Sequence, residues 1–107
     1  MKRRRQAVAR LSDLEADRGQ TVPLGEGHCT LFLHQGKCFA VGSMCPHQNA
    51  PLHGAIIRDG QIICRRHGYR FDATTGNCLT AGGYGLPVFA TEIEGDMVYV
   101  SYWEADG

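Results

Sequence analysis

The sequence predicts an all-β domain of short antiparallel strands. Three observations predict it: short runs of alternating, β-branched or aromatic residues, glycine-containing turns between them, and no long stretch of helical periodicity. There is no internal repeat and no low-complexity linker. At 107 residues the chain reads as one domain, 1–107, large enough for a core and small enough that a bound metal contributes to stability.

The elements follow in order. Lys2-Arg3-Arg4-Arg5 reads as a solvated, unpaired basic tail in preference to a docking arm, and Ala7 to Leu11 as a first strand. Ser12-Asp13-Leu14-Glu15 has the form of a capping box, which predicts one helical turn ended by Gly19. Thr21-Val22-Pro23-Leu24 reads as an edge strand, because proline cannot donate to a ladder. His28 to His34 and Lys37 to Gly42 form a hairpin about Gln35-Gly36 that delivers the chain to Cys45. Ile56-Ile57, Asp59-Gly60 and Gln61-Ile62-Ile63 repeat the pattern of strand, type I′ turn and strand, and deliver Cys64. Arg70-Phe71-Asp72 and a turn over Ala73 to Asn77 follow. Leu86 to Glu94 and Met97 to Trp103, turning at Gly95, return the chain to the sheet.

Eleven basic and eleven acidic residues cancel, which argues against nucleic acid or an anionic membrane as partner. The charge is segregated, basic at the start and acidic from Glu92 to Asp106. Arg3-Arg4-Arg5 is followed by Gln6-Ala7-Val8-Ala9-Arg10, which lacks the apolar stretch of an export signal or a membrane span, so a cytoplasmic protein is expected. Cys29 and Cys38 lie in apolar strands and are expected to be buried small hydrophobes; Cys78, in a polar turn, is expected to be the reactive thiol.

The chemistry resides in Cys45-Pro46-His47 and Cys64-Arg65-Arg66-His67. Two thiolates and two imidazoles can hold a single structural zinc, or a [2Fe–2S] cluster with two cysteines on one iron and two histidines on the other. Zinc fingers usually take their cysteines from one segment and their histidines from another. Here each segment supplies one of each, which suits a dinuclear cluster. His28, His34 and His53 lack a partnered spacing and are expected to have no ligand role.

This spacing resembles the Rieske iron–sulfur family, whose signature is C-x-H followed by C-x-x-H. Pro51-Leu52, Gly68, Phe71-Asp72 and Thr75-Gly76 extend the resemblance into the flanks. It implies stacked antiparallel sheets with a cluster-binding subdomain of about residues 43–80 at the tip, and one cluster held by Cys45, His47, Cys64 and His67. High-potential members carry a serine, a tyrosine and a bridging cysteine pair where this chain has Tyr69, Phe71, Ala50 and Arg66. The resemblance is therefore to low-potential Rieske ferredoxins: a monomeric one-electron carrier, not itself an enzyme, between a flavin reductase and a terminal oxygenase. A small Rieske subunit of an assimilatory nitrite reductase is the alternative within the family, and a zinc-stabilised interaction module the alternative outside it. Arg65-Arg66 and Gln48-Asn49 depart from common family residues, and Arg65, Arg66 and Arg70 form either a solvated rim or a basic docking surface. Gly82 to Pro87, with Tyr84, is either a loop shielding the cluster or a simple connection.

Overall fold

The structure, a computed structural model, describes residues 1–45, 50–64, 68–80 and 85–104. These contain the strands β1 (Lys2–Arg10), β2 (Gln20–Leu24), β3 (Gly27–His34), β4 (Lys37–Gly42), β5 (Met44–Cys45), β6 (Ala50–Pro51), β7 (Ile56–Arg58), β8 (Gln61–Ile63), β9 (Arg70–Asp72), β10 (Val88–Glu94) and β11 (Met97–Glu104). No α-helix occurs among the described residues, so the all-β expectation holds.

Six strands form one antiparallel sheet in the order β1-β11-β10-β4-β3-β2. The sheet curls until its edges meet, and the Gln6 side chain joins them: its Nε2 donates to the Pro23 carbonyl (3.2 Å) and its Oε1 accepts from the Gly25 N–H (2.9 Å). Pro23 in β2 sits where sequence placed an edge strand. The β3–β4 and β7–β8 turns, Gln35-Gly36 and Asp59-Gly60, both have positive φ at their two central residues, as a type I′ turn requires.

The N-terminal expectation is corrected. The basic run is strand from Lys2 onward, paired with β11, because the acidic end of the chain lies alongside it. Arg4 meets Glu104 (3.3 Å), while Arg5 lies over the Tyr99 ring (3.7 Å) and pairs with Glu92 and Glu94. The capping box is also corrected: the turn is a 3-10 turn over Leu11–Asp13 without a side-chain cap. Ser12 instead gives its N–H and hydroxyl to the Asp96 carboxylate (3.1 and 2.8 Å) in the β10–β11 turn.

Two apolar cores result among the described residues. Val22, Leu24, Cys29, Leu31, Cys38, Ala40, Val98 and Val100 fill the curled sheet. A second core of Leu52, Ala55, Ile57, Ile62, Cys64, Phe71, Ala73 and Leu86 belongs to the insertion, the segment between β4 and β10, and reaches the sheet at Phe32 and Val41. Cys29 and Cys38 are buried as expected, and burial pushes the Cys29 thiol up to about 11, which keeps it protonated and inert.

Candidate metal centre

Among the described residues the insertion contains two small sheets, β5-β6 and β7-β8-β9. Cys45 ends β5 and is in register with Ala50 of β6. Cys64 follows β8; its N–H donates to the Tyr69 carbonyl (2.8 Å), and its own carbonyl accepts from the Gly68 N–H (3.0 Å). Each cysteine thus stands at the neck of a short loop closed by backbone pairing to the residue five positions on. His47, Arg65, Arg66 and His67, the residues within those loops, lie outside the described residues, as do Gln48, Asn49, Gly82 and Tyr84.

The loops are tied to one foundation. Leu52 begins beyond the first loop, where its N–H donates to the Ser43 carbonyl (2.9 Å), and its side chain enters the core that also contains Cys64. Cys64 is 2% exposed and is not in a disulfide. A thiolate left bare in so apolar a setting is costly, whereas ferric iron or zinc would neutralise it. The donor at this position therefore fits a metal centre. Tyr69 packs against the same core, and Phe71 is wholly within it.

A strap that sequence reasoning missed anchors the insertion to the sheet. The Asp17 carbonyl accepts from the Ile57 N–H (3.0 Å), Gly19 exchanges hydrogen bonds with Ala55 (2.7 Å) and Gly54 (2.9 Å), and the Thr21 N–H donates to His53 Nδ1 (3.2 Å). Asp17 also joins His34, Oδ1 to Nδ1 at 2.7 Å. His53 and His34 thus have structural partners, and His28 is exposed on β3. Among the described residues no three His, Cys, Asp or Glu side chains gather into a metal site. The strap needs glycine at position 19, since a Cβ there would lie 2.8 Å from Phe32 and Thr30.

Asp72, next to Phe71, accepts from the N–H groups of Thr74 (2.8 Å) and Thr75 (2.9 Å) and so closes the turn after β9. These bonds, that of Thr75 foremost, hold its carboxyl below the ordinary value. Cys78 is half-buried, bridged to Phe71 and packed on the insertion core, so it is less open than a reactive thiol was expected to be, though more open than Cys29 and Cys38. Arg70 is exposed. No helix among the described residues is long and apolar enough to cross a membrane.

Comparison with known proteins gives a consistent result. Residues 4–89 match the Rieske [2Fe-2S] domain. The chain is 36% identical over 95 residues to apoptosis-inducing factor 3 of Homo sapiens, covering 88% of this chain and 16% of that protein, so it spans about a sixth of that relative's length. It is 29% identical over 94 residues to the ferredoxin component of the alkene monooxygenase system of Xanthobacter autotrophicus, covering 87% of this chain and 77% of that one. A solved structure from Mycobacterium tuberculosis, described as an NADH-dependent nitrite reductase small subunit, superposes with a TM-score of 0.88 at 20% identity, over 98% of this chain and all of that one; this likeness is one of fold.

Proposed function

The chain belongs to the Rieske [2Fe-2S] domain family, and from that premise we propose that it is a cytoplasmic one-electron carrier whose cluster is held by Cys45, His47, Cys64 and His67. The two cysteines would bind one iron and the two histidines the other, within a single domain whose insertion of about residues 43–80 is the cluster-binding part. When bound, the cluster supplies a site that takes and gives one electron. The chain's own residues supply the rest: paired loop necks, an apolar core around Cys64 that excludes water, and the strap from Asp17 to Thr21 that fixes the insertion to the sheet.

The carrying observation is the matched closure of the two loops, Cys45 with Ala50 and Cys64 with Tyr69, which gives a C-x-H and a C-x-x-H segment equivalent necks despite their different spacing. Similarity to an alkene monooxygenase ferredoxin supports a partner pair of flavin reductase and terminal oxygenase. The test is single-turnover electron transfer: the purified, loaded protein should be reduced by such a reductase and reoxidised by such an oxygenase.

The second reading, the small Rieske subunit of a nitrite reductase, keeps the same cluster and changes the partner. The end-to-end fold match brings it forward. Stable copurification with a large sirohaem protein would select it over the freely diffusing carrier. Stoichiometric zinc without acid-labile sulfide would reject both in favour of an interaction module.

A further inference from the structure

Strand alternation places Arg3 and Arg5 of β1, Tyr99, Ser101 and Trp103 of β11, and Val88, Ala90 and Glu92 of β10 on the outer face of the sheet. The two halves of this face differ. At one end Arg5 is occupied by Tyr99, Glu92 and Glu94. At the other, Arg3 is in register with Trp103 and makes no ion pair among the described residues. Small side chains, Ala90 and Ser101, leave a recess of about 350 Å³ between Val88, 41% exposed, and Trp103, 62% exposed.

We propose that this recess is a docking site for a segment of a partner protein that presents an apolar side chain beside a carboxylate. The apolar group would sit on Ala90 and Ser101 between Val88 and Trp103, and the carboxylate would meet Arg3. Charge complementarity selects the occupant, since the guanidinium at the recess is the cation of this face that the acidic β10–β11 pair does not neutralise. Exposed tryptophan and arginine are also the side chains that most often carry interface energy.

The recess adjoins the cluster-bearing part of the molecule. Val88 lies one residue beyond Pro87, whose carbonyl accepts from the Gly42 N–H (3.0 Å), and the Leu86 N–H donates to the Gly76 carbonyl (2.7 Å). The recess thus borders the insertion, where Val88 Cγ2 stands beside Gly76, and a partner bound to the insertion can extend onto this face. Contacts for electron transfer are small, below about 1,200 Å² in total, so a lateral anchor would lengthen the encounter without altering the cluster. Only the identification of the partner as a redox protein rests on the carrier reading.

Trp103 is the single tryptophan of the chain, so its emission reports this site alone. The probe is a short blocked peptide of alternating leucine and aspartate, with a lysine-for-aspartate peptide as control, titrated into the cluster-loaded protein. We expect a saturable blue shift with the aspartate peptide that weakens with salt, no comparable shift with the lysine peptide, and about tenfold weaker binding in Arg3→Glu. The cluster absorption should be the same in both proteins. Absence of a shift, an equal response to both peptides, or a shift produced merely by concentrating the protein would overturn the proposal, the last by showing that a second copy covers the face. Failure of electron transfer with the Trp103 response intact would instead count against the carrier reading.

Discussion

Cys64 donates its backbone N–H to the carbonyl of Tyr69, five positions on, and Cys45 is in register with Ala50 at the same separation. The necks of both loops are therefore set by backbone pairing, which a side-chain substitution leaves in place. Cys45→Ser and Cys64→Ser should each abolish stoichiometric iron and acid-labile sulfide and the nitrogen-ligated rhombic paramagnetic signal of the reduced protein. Cys64→Ser should also cost about 1–3 kcal/mol beyond cluster loss, because it puts a hydroxyl into an apolar core. Iron and sulfide analysis with chemical denaturation checks both. Retention of a full cluster in either variant would reject the ligand assignment.

Hydrogen bonds to the sulfurs stabilise a reduced cluster, and the two hydroxyl-bearing positions of high-potential members are here Tyr69 and Phe71. A neutral cluster with two histidines lies roughly between −150 and +300 mV, and this chain should fall near −150 mV. Tyr69→Ser with Phe71→Tyr should raise the potential by tens of millivolts, about 59 mV being tenfold in a one-electron equilibrium. Phe71 is 0% exposed, so an added hydroxyl must find an acceptor or destabilise the core. Protein-film voltammetry distinguishes the two: lost stability with an unmoved potential would show that the hydroxyl does not reach the cluster.

The hairpins and the ligand motif were legible because each depends on local chemistry: positive φ at Gln35-Gly36 and Asp59-Gly60, proline at the edge in β2, and cysteine–histidine spacing. The N-terminus was not. Whether Arg3, Arg4 and Arg5 form a tail or a strand is decided by Glu92, Glu94, Tyr99 and Glu104, some ninety residues away, and no local pattern encodes that pairing. Ser12 had a plausible local role as a cap and was taken by Asp96. The strap was illegible for the same reason: Asp17 to Thr21 pairs with residues 53–57 through an isolated antiparallel bridge, Arg18 to Ile56, too short to leave an alternating pattern in the sequence.

Asp72 makes the turn after β9 sensitive to acid. Its folded value is depressed, so its contribution is fully present above the unfolded value of about 3.9 and is lost as pH falls through the lower folded value. Asp72→Asn should be less stable than the parent across neutral pH, and the difference should close only in acid below about 3.9. Paired urea melts from neutrality into acid measure it. A difference that persists unchanged in acid would assign the loss to geometry rather than charge.

The loop arginines give a kinetic prediction. If Arg65 and Arg66 steer an acidic partner, Arg65→Glu with Arg66→Glu should slow second-order electron transfer and flatten its salt dependence, since screening acts over about 8 Å at physiological ionic strength. The cluster spectrum should be nearly unchanged. Stopped-flow rates that match the parent at every salt concentration would make these arginines, like exposed Arg70, a solvated rim.

Gly76 holds the seam between the insertion and β10. Its φ is +80°, its carbonyl accepts from the Leu86 N–H at 2.7 Å, and a Cβ there would stand 2.1 Å from the Leu86 carbonyl oxygen and 2.8 Å from Val88 Cγ2. Gly36 has a similar φ, +77°, in a turn where a Cβ would meet nothing within 4 Å. Gly36→Ala should therefore cost only the left-handed backbone, about 1 kcal/mol. Gly76→Ala adds a collision with backbone that cannot turn aside, and should cost about 3 kcal/mol or more. Because the seam closes the core that contains Cys64, Gly76→Ala should also speed bleaching of the cluster absorbance in urea, and Gly36→Ala should not. Equal stability losses and equal bleaching rates in the two variants would show that the seam gives way freely and plays no part in retaining the cluster.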